Sequence, residues 1–400
     1  MIWLNYIEKI PKKFQKKLRL ISNLWLKNLV RPYTAILIVP TGVGASIGGY
    51  AGDALPVARA MSGVCDRLIT HPNVMNGAIL YWNLPNTLYV EGYALDKFAG
   101  GDWGLREVHQ NKIGLILDQG IEADLRLRNL QAADAARATL GISITDYVIT
   151  DAPIEVELRL SDSGASWGTI ANPDSLLRAA DILISQTGAN AIAVVARFPD
   201  QVDAIADQNY RMGEGVDTIA GAEAVISHLI VRNFKVPCAH APAFSPPELD
   251  ANLSPRSAAE ELGYTFLPSV LVGLSRAPQF VFNSQVADSK KEGRWDISSD
   301  LGDVWANQVD AVILPANACG SSAVLSLNKL SCNQNCLIIT VKENQTQMQV
   351  LPEFLGIRAL QANSYLEAIG ALAVHKTGVD ISIFNQVISP LQIKKNSNKL

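Results

Sequence analysis

Two histidines and one cysteine, His71, His240 and Cys319, each lie at the end of an apolar run among small or polar residues. A histidine titrates near neutral pH and serves as general acid or base. A cysteine beside a helix N-terminus has a lowered pKa and becomes a nucleophile or proton-transfer group. His71 sits in ITHPNVMNG with Asn73 and Asn76, and His240 in VPCAHAPAF with Cys238. Cys319 sits in LPANACGSS, where Asn317, Ser321 and Ser322 precede an apolar helical stretch. Each segment alone has a bland explanation, since a histidine before proline caps turns and buried cysteines are common at strand ends. Their shared position makes them candidates.

The segment IVPTGVGASIGGYAGD, residues 38–53, holds Gly42, Gly44, Gly48, Gly49 and Gly52 directly after the apolar run 34–39. In open parallel sheets ligands bind outside the carboxyl ends of strands. Glycines there let backbone N–H groups point inward, and a following helix N-terminus adds partial positive charge. The chemistry that fits is a phosphate or carboxylate held by Thr41, the five glycines and Asp53. The segment matches neither standard motif. It has no Gly-Lys-Ser/Thr, and Ile47 stands where the dinucleotide fingerprint needs glycine. An unusual turn without a ligand is the competing reading.

Other polar residues divide between site and scaffold. Asp53 either caps the next helix or contacts ligand or metal. Asp217 and Glu223 flank a helix start, where acids also answer the helix dipole. Arg276, after an expected strand at 268–272, could clamp an anion. Glu343 and Asn344 follow the run 337–341. His228, in EAVISHLIV, fits a core position in a helix, and His109 and His375 lack supporting context. Cys332 and Cys336 have no second pair to complete a zinc site.

The elements that must position these groups alternate. Apolar runs predict strands at 34–39, 65–70, 113–117, 191–196, 236–239, 268–272, 309–314 and 337–341. Helices are expected at 122–140, after Asn172-Pro173, at 220–234, after Ser254-Pro255 and at 363–376. This predicts an α/β, Rossmann-like layered fold with a mostly parallel sheet, divisible into two lobes near 161–171 or 285–303. The α/β domain spans 33–383, and residues 384–400 form a polar tail.

Charge is uneven. Net charge is −4, which gives no general attraction to nucleic acid, yet residues 1–31 hold eight Lys or Arg against one Glu. Phe14, Leu18, Ile21, Trp25 and Leu29 recur at helical spacing, so 12–30 reads as a basic amphipathic helix. It either touches an anionic membrane or partner, or packs on its own domain. No apolar run reaches the roughly 18 residues of a membrane helix. Five cysteines scattered without a secretory signal fit a reducing, cytoplasmic setting.

The phrases PTGVGASIGGYAGDALPVARAM, THPNVMNGAILYW, GAEAVISHLI, EELGYTFLPSVLVGLSRAPQ and SYLEAIGALAVHKTGV together resemble a conserved cyanobacterial and plastid family of unknown function. The resemblance covers about 33–380 and implies a photosynthetic source, with no transferable reaction, ligand or catalytic residue. ILPANACGSSAVL loosely resembles the cysteine loop of aspartate/glutamate racemases. The expected function is an enzyme acting on a small phosphorylated or carboxylated metabolite. A binding or assembly factor at the membrane surface and a two-cysteine racemase-like enzyme are the alternatives. Cofactor use and oligomeric state stay open.

Overall fold

The computed structural model describes residues 31–76, 83–200, 204–245, 248–261, 266–282, 302–334, 336–384, 387, 388, 390 and 391, with no side-chain detail at 204, 260, 261 and 330–334. The basic segment 12–30, most of the boundary at 285–303 and the end of the tail fall outside them.

Fifteen strands form four sheets among these residues. The largest is wholly parallel. Its order is β3 (Thr87–Tyr89), β2 (Arg67–Thr70), β1 (Thr34–Leu37), β13 (Val309–Pro315), β14 (Leu337–Val341) and β15 (Leu360–Ala362). Counted along its own strands this is 3-2-1-4-5-6, the doubly wound Rossmann order. Helices α1 (Leu55–Ser62), α2 (Pro72–Met75) and α3 (Gly92–Ala99) follow the first three strands. Ala35, Ile36 and Leu37 have no exposed surface, as a strand covered on both faces requires. Burial of each large apolar side chain contributes about 1.5–3 kcal/mol.

The remaining sheets are built from the long insertion between β3 and β13. Strands β4 (Trp103–Arg106), β11 (Gln279–Phe282) and β12 (Asp303–Val304) form an antiparallel trio. A second parallel sheet orders as β6 (Ile144–Ile149), β5 (Ile113–Leu117), β9 (Ala191–Arg197) and β10 (Cys238–Ala243). Between β6 and β9 stands the hairpin β7 (Val156–Leu160) and β8 (Ser166–Ile170). The associated helices are α4 (Ala123–Leu140), α5 (Pro173–Thr187), α6 (Ala204–Arg211), α7 (Ala220–Phe234), α8 (Ala258–Glu261) and α9 (Phe266–Ser275). Helices α10 (Ser322–Gln334) and α11 (Tyr365–Lys376) belong to the second half of the large sheet.

Two expected elements differ. The run 268–272 lies inside α9, whose Leu267, Val270, Leu271 and Leu274 are all buried. A wholly apolar run carries no period, so burial on every side reads alike for a strand and a helix. Gly273 lets this helix lie on the Tyr89 ring, where a Cβ would come within 2.6 Å. The second difference is β10, which begins at Cys238 and runs through His240. It tolerates Pro242 because it is an edge strand.

Candidate functional site

The large sheet reverses direction of winding between β1 and β13, the switch point at which such sheets bind ligands. The glycine segment leaves β1 there. Its root is held by β2: Thr70 Oγ1 donates to the Leu37 carbonyl at 2.9 Å, and the Val39 N–H donates to His71 Nε2 at 2.9 Å.

The second half of the segment is anchored to the protein at several residues. Asn344 accepts the Ile47 N–H at 3.0 Å and donates to the Ile47 carbonyl at 2.8 Å. Asn73 Nδ2 donates to the Gly48 carbonyl at 2.7 Å, and Gly52 N–H donates to the Asn73 carbonyl. Asp53 Oδ1 accepts the Gly48 N–H at 2.6 Å while Oδ2 faces Arg256 at 2.9 Å. Burial raises the Asp53 pKa, against the pull of the Gly48 and Arg256 bonds. A Cβ on Gly48 would lie 2.6 Å from Val39 Cγ1, and one on Gly49 would lie 2.2 Å from the Ala45 carbonyl. The expectation that Gly48 admits an anion is therefore corrected: its amide belongs to Asp53 and its missing side chain to packing. Asp53, Asn73, Gly49 and Gly52 likewise shape the loop.

The first half is different. The carbonyls of Gly42 and Val43 accept the Ser166 and Gln347 N–H groups, each at 2.8 Å. The five consecutive N–H groups from Thr41 to Ala45 have no partner among the described residues. Gly42 has φ +70° and Gly44 φ +61°, whereas Val43 between them is not among the positive-φ residues. Successive amides with alternating backbone handedness form a concavity that attracts anions.

The four-strand sheet supplies an internal comparison. Its switch point lies between β5 and β9, and there Asp118 is 1% exposed. The Asp118 carboxylate accepts N–H groups from Gly120 at 3.0 Å, Ile154 at 2.9 Å and Arg197 at 3.0 Å. In that sheet the chain fills the anion position with its own carboxylate. At β1 it does not.

Helix α7 connects the loop to acid–base groups. Gly221 N–H donates to Ser166 Oγ at 3.2 Å, and Ser166 is itself bonded to Gly42. In the first turn of α7, Glu223 Oε2 lies 3.5 Å from His240 Nε2, with both side chains nearly buried. His240 Nδ1 meets Ser227 Oγ at 3.2 Å.

Other candidates serve structure. Burial lowers the His71 pKa to about 4, so the ring is neutral at physiological pH. The activated thiol expected at Cys319 is corrected. The residue is fully buried, its Sγ–H points to the Ala316 carbonyl, and burial pushes its pKa up to about 11. Burial likewise pushes the Cys238 thiol well above its usual range, so neither thiol supports racemase-type proton transfer. Asn317 is latched to Thr346 at 2.9 Å, and Ser321 Oγ accepts the Val324 N–H at the start of α10, beside Ser322. Asn76 accepts the Tyr89 hydroxyl at 2.7 Å. Arg276 is exposed after α9, near the amino end of β5, because its expected strand is a helix. It does not join the site.

One group of residues escaped the sequence reading. Glu91, 4% exposed, follows β3, caps α3 through Oε2 and contacts His228 Nδ1 through Oε1. His228 is not an enclosed core residue, because 42% of its side chain is exposed. Burial is the largest single influence and lowers its pKa, but the hydrogen bond and charge of Glu91, with the charge of Asp96, together outweigh burial and raise it. An acid placed between a strand and a helix, as in TLYVEGYALD, is the signal that could have found Glu91. Among the described residues no group of three or more His, Cys, Asp or Glu is placed to hold a metal. No helix among them is long and apolar enough to cross a membrane.

Comparison with known proteins adds kinship. A LacI family transcriptional regulator from Weissella paramesenteroides, solved with bound glucose, is 9% identical over 66% of this chain and 91% of its own. Its TM-score of 0.17 carries no argument about fold or ligand. A Synechococcus sp. protein (strain PCC 6301) named an uncharacterized lipoprotein is 56% identical over 352 residues, which is 88% of this chain and 93% of that relative. A family model described as protein of unknown function (DUF3326) matches residues 34–385, from the first residue of β1 to beyond α11. On that span the chain belongs to the DUF3326 family.

Proposed function

We propose that this protein is an enzyme that binds a small phosphorylated or carboxylated metabolite on the amides of Thr41 to Ala45. The observation that supports this most is the run of five N–H groups without a protein partner, among the described residues, at the switch point of the large sheet. At the equivalent place in the smaller sheet Asp118 occupies such amides. The chemistry the first site accepts is therefore that of a carboxylate or phosphate. Glu223 and His240, reached through Ser166, are the acid–base pair suited to move a proton on the bound molecule. His71 fixes the strand end from which the loop departs.

The test is a thermal-shift panel of inorganic phosphate, sugar phosphates and small di- and tricarboxylates. A compound at one hundred times its dissociation constant adds about 2.7 kcal/mol of stability. Amide resonances of Thr41–Ala45 should then move on titration with the hit. Glu223→Gln and His240→Gln should keep the shift and lose turnover of that compound. Resonance changes confined to another surface would refute the assignment.

A second reading, a binding or assembly factor at the cytoplasmic membrane surface, draws on the basic segment 12–30 and the word lipoprotein in the relative's name. It expects flotation with anionic liposomes that salt abolishes, since surface charges are screened within about 8 Å at physiological ionic strength.

A further inference from the structure

Helix α4 is 18 residues long, about 27 Å, and buries only Ala133 and Ala136. Leu127 keeps 55% of its surface exposed, although it is a large apolar side chain. Along its outer face run Leu127, Arg128, Gln131, Asp134 and Ala135, all exposed and at helical spacing. The order is self-complementary about Gln131. Arg128 stands three residues before it and Asp134 three after; Leu127 stands four before and Ala135 four after.

We propose that α4 is a two-fold dimer interface whose occupant is α4 of a second copy of this chain. An isologous contact requires one patch that complements itself when turned through 180°. With the helices antiparallel and the axis through Gln131, Arg128 meets Asp134 of the second copy, twice by symmetry. Leu127 of each copy covers the small Ala135 of the other. Arg137 already holds the Asp134 carboxylate at 2.8 Å, which orients it on this face. The small, exposed Ala135 lets Leu127 of the second copy approach this face, at an interaxial distance in the usual range of roughly 8–10 Å. A peptide of another sequence would have no reason to match the mirrored order of charge and size.

The axis residue gives the decisive experiment, because only there does a side chain meet its own copy. The full chain carrying Gln131→Cys should form a disulfide-linked dimer under mild oxidation, within the Cα separation of about 4.4–6.8 Å that a disulfide accepts. Asp124→Cys, off the axis, should not. In sedimentation, the wild type should be a dimer and Arg128→Asp should weaken it by about tenfold or more. Arg128→Asp with Asp134→Arg should restore it, since the pairing is only exchanged. Unchanged circular dichroism melts confirm that these surface variants fold. A monomeric wild type, a dimer indifferent to Arg128→Asp, absence of the cross-link in Gln131→Cys, or failure of the double exchange would each overturn the proposal.

Discussion

His71 Nε2 accepts the Val39 amide at 2.9 Å, so the ring of one strand end fixes the height at which its neighbour releases the glycine loop. A proton on that nitrogen would expel the amide. The ring is buried and its pKa is lowered from 6.5 to about 4, whereas the unfolded chain binds a proton near 6.5. Between those values the unfolded state carries more protons, and stability falls as pH drops through that window. The loss approaches about 3 kcal/mol by linkage and levels off below pH ~4. Denaturant titrations at several pH values should show this slope, and His71→Gln, which keeps an acceptor, should flatten it. At neutral pH His71→Ala should cost about 1–3 kcal/mol for the buried amide left unpaired.

The opposite sign is expected at His228. Its folded pKa is raised above 6.5, so the pairing with Glu91 stabilises fully below that value. The contribution fades as pH rises through the folded pKa. The Cε1–H resonance of His228 should titrate above 6.5 in the wild type and markedly lower in Glu91→Gln. An unchanged midpoint would show that Glu91 is not the cause.

Asn344 is 1% exposed and clamps both backbone groups of Ile47 while donating to the Tyr365 hydroxyl at 2.7 Å. Asn344→Ala should cost about 2–3 kcal/mol, because several buried partners are left unsatisfied. It should also weaken any ligand-induced stabilisation, since the amides of Thr41–Ala45 lose the frame beside them. A stable variant with the full ligand shift would show that the loop holds its shape unaided.

Thiol labelling tests the reading of the cysteines. Cys65, Cys238, Cys319 and Cys336 are all buried, with burial raising each pKa, to about 12 for Cys65 and Cys336. Peptide mapping after iodoacetamide treatment of the native protein at mildly alkaline pH should leave these four unmodified. Rapid carbamidomethylation of Cys319 would restore it as a nucleophile.

The glycine loop was legible because a period-free apolar run ended abruptly in residues that only a special backbone needs. Helices 220–234 and 123–140 were legible from their length and flanks. What the sequence concealed was contact between distant elements. Which loop amides stay open depends on Asn344, Ser166 and Gln347, none of them near in sequence. His228 looks like a core residue because its helix is apolar around it, and its carboxylate partner comes from the end of β3. The role of Asp118 depends on amides that follow β5 and β6 and one at the end of β9. The run 268–272 misled for a different reason, since a helix buried on all sides has no polar face to reveal its period.

The insertion between β3 and β13 has a consequence for the order in which the molecule can be made. Thr34 N–H bonds to Asp310, 276 positions later. At about 5–20 residues per second the ribosome needs on the order of tens of seconds to cross that interval. The strands of the four-strand sheet all emerge within it and can pair at once. Strand β1 can pair β2 early, but its edge toward β13 waits as an open template for wrong pairing. Any chain stopped before Val309 would retain the smaller sheet and its Asp118 plug, yet would never assemble the switch point where the open amides of Thr41–Ala45 lie.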